Sequence, residues 1–145
     1  MGEPAPAEIL TSEVLETMRH SCAHVLAQAV QDLFPGTRLG IGPAIENGFY
    51  YDFDTAHHFV PEDLPRIEAR MGEIVAAKQA FQRVQRSKDE ARDILKRAGE
   101  SLKIELLEDL KDDTVSFYTN GSFTDMCRGP HRAHTGEILH FKLMS

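Results

Sequence analysis

The polar and apolar positions of the chain repeat with two periods. Between Ser12 and Phe34, Leu15, Met18, Cys22, Val25, Leu26, Ala29 and Leu33 recur at helical spacing. At about 100° per residue they make one stripe, and with Cys22 as origin His20 and His24 fall near ~160° and ~200°. The spacing predicts a long first helix, capped by Thr11 or Ser12 and ended at Pro35-Gly36, with Cys22 in the core. The two histidines share the opposite face with Glu13, Thr17 and Gln31. That face reads either as a solvated surface or as one wall of a site.

Beyond the first helix the period shortens. Leu39 to Pro43 reads as a short strand broken by glycines. Asn47-Gly48 signals a turn, and Phe49 to Phe53 alternates as a half-buried strand does, so a hairpin should follow the helix. Pro61 with Glu62 and Asp63 opens a second helix running to about Gln85. Ser87 to Glu90 is a capping box that starts another helix, and Gly99 closes it. Leu102 to Leu107 is a short amphipathic turn. Val115 to Tyr118 and Phe123 to Met126 are strands around an Asn120-Gly121 turn, and a last strand covers Ile138 to Leu143. Residues 1–11 are expected to be disordered, which leaves 12–145 as one domain. The fold class is α+β, a mostly antiparallel sheet packed with the long N-terminal helix and further helices on one side.

Composition narrows the function. With 145 residues, 41% of them hydrophobic, the chain can bury a real core. No apolar run approaches the roughly 20 residues of a membrane span, and the first residues lack a signal peptide's basic start and apolar stretch. The two cysteines read as a reduced pair rather than a disulfide. A cytoplasmic protein without a membrane partner is expected. Net charge is −7, against a general nucleic-acid binder. Residues 78–103, however, hold eight basic side chains against four acidic, a net of +4. That suits one end of a polyanion, or else a solvated helix with paired charges.

The chemistry sits in two short motifs, His20-Ser-Cys-Ala-His24 and Cys127-Arg-Gly-Pro-His131. Brought together, three imidazoles and a thiol make a site for hydrolysis, for a metal, or for both. His20, His24, Cys127 and His131 suit zinc by ligand type, but Cys-x-x-x-His is not the spacing of a structural finger. A metalloprotease needs Glu directly after the first His, where this chain has Ser21.

Those motifs, with Ile41-Gly-Pro43, Asn47-Gly-Phe-Tyr-Tyr-Asp52, Asp125-Met-Cys127 and His140-Phe-Lys-Leu-Met144, resemble the second N-terminal, or editing, domain of bacterial-type threonyl-tRNA synthetases from about residue 12 to the end. The resemblance implies hydrolysis of seryl-tRNA(Thr), because a synthetic site gains only about 1–3 kcal/mol from the one methyl that separates threonine from serine. It implies a site of His20, His24, Lys103, Asp125, Cys127 and His131, with Gly42 and Tyr118 lining the amino-acid pocket. Lys103 would stand near the attacking water, its pKa lowered among imidazoles. Histidine would hold the ribose hydroxyls and Asp125 the substrate ammonium, with direct water attack preferred to a Cys127 nucleophile. The partner would be the 3′ end of tRNA(Thr) carrying serine. The chain reads as a domain excised from a synthetase, with the other synthetase domains as partners; a free-standing trans-editing deacylase is the alternative. No cofactor is expected for editing. A zinc-dependent, alanyl-type module on the same four ligands remains the other possibility.

Overall fold

The computed structural model describes residues 12–41, 44, 45, 48–128, 130–138 and 141–144; the expectations for residues 1–11, Gly42 and Asn47 lie outside these. The first helix, α1, spans Ser12–Leu33 as the stripe predicts. Its apolar side, Cys22, Val25, Leu26, Ala29 and Val30, packs on Ile67, Met71 and Ile74 of α2 (Asp63–Ala76) and on Ile138. Cys22 is in the core as expected, and burial pushes its thiol up to about 12. Both cysteines are free.

The opposite side of α1 is solvated only near its start, at Glu13 and Glu16. Every residue from Ser21 to Val30 is buried. The histidine face is covered by Phe81 and by a hairpin of β6 (Thr114–Asn120) and β7 (Phe123–Met126). A helix with a polar face can be buried on both sides if the covering element returns hydrogen bonds, and this hairpin supplies Asn120.

Between α1 and α2 lie two small antiparallel pairs. β1 (Arg38–Leu39) pairs with β4 (Phe53–Asp54), and β2 (Ala44–Ile45) with β3 (Gly48–Phe49). The expected hairpin is therefore present as two short ladders. The second helix stops well before Gln85. Lys78 turns the chain at φ 50°, and Gln82–Ser87 form β5, antiparallel to β6 over six residue pairs. The hydrophobic pattern does not signal this strand, because Val84 is its only apolar residue. It is an edge strand in the order β5-β6-β7, specified by backbone pairing and exposed to water.

Ser87 then caps α3 (Lys88–Ala98): its Oγ accepts from the Glu90 amide at 3.2 Å, and its own amide donates to the Glu90 carboxylate at 3.4 Å. Gly99 ends α3 at φ 71°, a conformation that favours glycine. The turn expected next is a nine-residue helix, α4 (Ser101–Asp109). Ala91, Leu95, Leu107, Val115, Phe117 and Met126 make a second core between α3, α4 and the sheet. The strand expected at Ile138 to Leu143 is not formed by the described residues there. A 3₁₀ turn at Thr135–Glu137 drops Ile138 into the first core, and the Leu143 amide then donates to Glu68 of α2 at 2.6 Å. The architecture is α+β, with antiparallel strands throughout the described sheets. No described helix is long and apolar enough to cross a membrane.

Candidate active site

A cleft of about 860 Å³ opens between α1, α4 and the β5-β6-β7 sheet. His20, His24, Lys103, Asp125, Cys127 and His131 all line it. Three separate pieces of chain converge to do this: α1, α4, and β7 with the segment that follows it. Helical i,i+4 spacing puts His20 and His24 on one side of α1. Strand β7 aims Asp125 inward, and the Cys127 amide continues the ladder onto Ser116 O at 3.1 Å. Helix α4 inserts Lys103, and the segment after β7 returns His131.

One wall is ionic. The Lys103 ammonium lies 3.2 Å from Asp125 Oδ1 and donates to Met126 O at 3.1 Å, with both side chains almost fully buried. The Tyr51 hydroxyl donates to Asp125 Oδ2 at 2.6 Å, and the ammonium sits 5.5 Å over the Tyr51 ring. Burial, then the Asp125 charge, raises the Tyr51 phenol, so it remains a proton donor. Below them Glu100 accepts from the Leu39 amide at 2.9 Å and from Gln31 at 3.2 Å, and burial raises its pKa. Lys103 was expected among imidazoles; its nearest charge is instead a carboxylate.

The other wall is neutral. Asn120 donates from Nδ2 to Gln28 at 2.6 Å and to Gln79 at 2.9 Å, which turns its Oδ1 to His24. His24 therefore donates from Nε2, at 2.6 Å, and keeps its lone pair on Nδ1, which is buried without a hydrogen-bond partner. Burial, and next the charge of Lys103, lowers His24 to about 4. His131 lies 4.9 Å from His24, centroid to centroid. Its Nδ1 meets Ser21 Oγ at 3.1 Å and its Nε2 meets Cys127 Sγ at 3.0 Å. Burial, then the neighbouring histidines, lowers His131 to about 3. His20 is nearer solvent, 3.8 Å from Glu16.

The four candidate zinc ligands do not stand as a ligand set here. The Cys127 and His131 donors face each other, His24 Nε2 is held by Asn120, and among the described residues no group of three or more His, Cys, Asp or Glu is placed to hold a metal. Tyr118 is a step behind the cleft surface. Its ring meets His131 edge-on at 4.4 Å and braces it. Gly42 lies outside the described residues, although Ile41 lines the cleft.

Sequence reasoning missed the residues that fix the site: Tyr51, Glu100, Asn120 and Ser21. Tyr51 and Ser21 lie inside quoted motifs, so the motifs carried a signal for them. Asn120 reads in the sequence only as a turn former, yet it sits at the last register pair of the hairpin, opposite Phe123.

Residues 115–145 match the family model described as threonyl and alanyl tRNA synthetase second additional domain. The chain is 53% identical over 131 residues, 90% of its length, to a threonine–tRNA ligase of Dehalococcoides mccartyi, of which that covers 22%. It is 52% identical over 148 residues, 100% of its length and 23% of the relative, to the ligase of Pelobacter propionicus. A third ligase, from Oleidesulfovibrio alaskensis, is 52% identical over 143 residues, 99% of the chain and 22% of the relative. The chain thus spans under a quarter of the length of the curated relatives it matches. Over nearly its whole length it is similar to the part of bacterial threonine–tRNA ligases that carries the second additional domain.

Proposed function

We propose that the cleft hydrolyses the ester of serine mischarged on tRNA(Thr), as the editing part of a threonine–tRNA ligase in the cytoplasm. The observation that carries this is the pairing of a buried ionic wall with a neutral imidazole wall in one cleft. Ester hydrolysis needs an oriented water, a stabilised oxyanion and a protonated leaving hydroxyl. The Lys103 ammonium, fixed by Asp125 and Met126 O, supplies positive charge to water and oxyanion. His24 Nδ1 offers an acceptor to a ribose hydroxyl or to the water. His20, at the open end, serves the same ribose. Asp125 keeps acceptor capacity on both oxygens for the substrate ammonium, beside Lys103 and Tyr51.

A second reading has its own observation. Cys127 Sγ and His131 Nε2 are 3.0 Å apart, the geometry of a thiol with its base. Direct water attack remains the reading advanced, and Cys127→Ala separates the two: loss of an acyl-enzyme route abolishes turnover, whereas loss of a wall residue only weakens it. The likeness to threonine–tRNA ligases is the ground for proposing chemistry without zinc; hydrolysis that persists after chelation agrees, and activity lost to EDTA and restored by zinc contradicts. The function itself is tested by the ratio of seryl-tRNA(Thr) to threonyl-tRNA(Thr) hydrolysis, expected to be well above one and overturned by no preference.

A further inference from the structure

The cleft is longer than the catalytic cluster requires. Its extension runs along one face of the sheet, and the strand register shows which residues floor it. Asp125 of β7 lies opposite Tyr118 of β6, and Tyr118 opposite Arg83 of β5. Directly paired residues point to the same face, so Arg83 stands in line with the catalytic carboxylate. Two residues outward, Ser116 faces Gln85. Arg128 follows Cys127 and lines the same mouth.

These two arginines differ from those of α3. On α3, Arg92 is tied to Asp89 and Glu108, and Arg97 to Asp93. Arg83 and Arg128 are exposed and have no carboxylate within ion-pair distance among the described residues. Arg83 lies close enough to Tyr118 for its charge to act on the phenol. Farther along, the cleft turns acidic, with Asp109, Asp112 and Asp113 at its far end. Charge therefore changes sign along the groove: a cationic step beside the catalytic groups, then neutral amide and hydroxyl, then carboxylates.

We propose that Arg83 and Arg128 form a subsite for one phosphodiester, the linkage joining the ester-bearing adenosine to the nucleotide before it. The inference rests on the hydrolase reading. The acidic end repels a longer phosphate track, so the strand leaves over the arginines and only this linkage is held in the cleft.

The probes are the seryl esters of a cytidylyl-adenosine dinucleotide and of adenosine alone, which differ by that linkage and its nucleoside. Arg83→Gln and Arg128→Gln should each lower kcat/KM on the dinucleotide ester about tenfold, the scale of one charged hydrogen bond. The loss on the adenosine ester should be several-fold smaller, and Arg83→Lys should recover part of it. The salt dependence of kcat/KM on the dinucleotide ester should flatten in each variant, by at most about 0.7 in log–log slope for the one phosphate held. Equal losses on both esters, or an unchanged salt slope, would overturn the subsite alone. A wild-type chain that cleaves neither ester overturns the hydrolase reading, and the subsite with it.

Discussion

The two walls of the cleft bury polar groups by opposite means. On one, Lys103, Asp125 and Tyr51 bury a charge pair and close it with a phenol. On the other, His24, Asn120, Gln28 and Gln79 bury only neutral dipoles, and His131 is held between Ser21 and Cys127. A buried ion pair is costly to break, because the partner left behind is an unpaired charge, whereas a neutral network loses about one hydrogen bond at a time. The ionic wall should therefore dominate both chemistry and stability, and the neutral wall should tune them.

Lys103→Ala should have the largest effect. It removes the only ammonium facing the acyl group among the described lining residues and strands Asp125, so hydrolysis should fall about 10²-fold or more. Stability should fall by about 3–5 kcal/mol, measured by denaturant unfolding. A variant that keeps both its rate and its stability would show that the ionic wall is decoration.

Asn120→Ala tests the neutral wall. It leaves the His24 Nε2–H and the Gln28 oxygen without their partner, at about 1–3 kcal/mol, while the Gln79 oxygen still accepts from Gln28 at 3.3 Å. The rate should drop less than for Lys103→Ala, since the imidazole remains present but loses its fixed tautomer. A rate loss as large as that of Lys103→Ala would erase the distinction between the walls.

The walls should also differ in acid. His24 and His131 are lowered to about 4 and about 3 from an ordinary value of 6.5. Between pH ~6.5 and ~4 the unfolded chain binds protons at these positions that the folded chain does not. Stability is thus fully present above ~6.5 and is lost as pH falls, down to about 4 for His24 and about 3 for His131. His24→Gln should flatten part of this acid slope in urea titrations. An unchanged slope would mean that His24 is not held neutral.

The smallest effect belongs to Cys22→Ala, on the apolar side of α1. It should cost about 1 kcal/mol or less and leave hydrolysis nearly intact, because Cys22 lies in the core facing α2. Loss of catalysis in a folded Cys22→Ala protein would place the wrong side of α1 in the cleft.

How far the sequence could be read follows the same division. Local signals were legible: the stripe of α1, the Ser87–Glu90 capping box, Gly99 past α3, and the β6-β7 hairpin that delivers Cys127. Each is encoded within a few residues of where it acts. Strand β5 was not legible, since Gln82 to Ser87 carry one apolar residue and owe their conformation to backbone pairing with β6. Nor was the burial of His24, because its polar helix face looks the same whether water or Asn120, 96 residues away, covers it. The candidate residues were legible through their motifs, while the partners that hold them, Tyr51 on Asp125 and Asn120 on His24, act over long separations that periodicity does not register.

The central claim is that two unlike walls together make one ester hydrolase. Single-turnover hydrolysis of seryl-tRNA(Thr) by this chain, run beside a His24→Ala/Lys103→Ala double variant, tests it most directly. The native chain should release serine far faster than buffer and spare threonyl-tRNA(Thr), and hydrolysis should fall to near the buffer rate when one group is removed from each wall. A native chain no faster than buffer, or a folded double variant that still hydrolyses at the native rate, would contradict it.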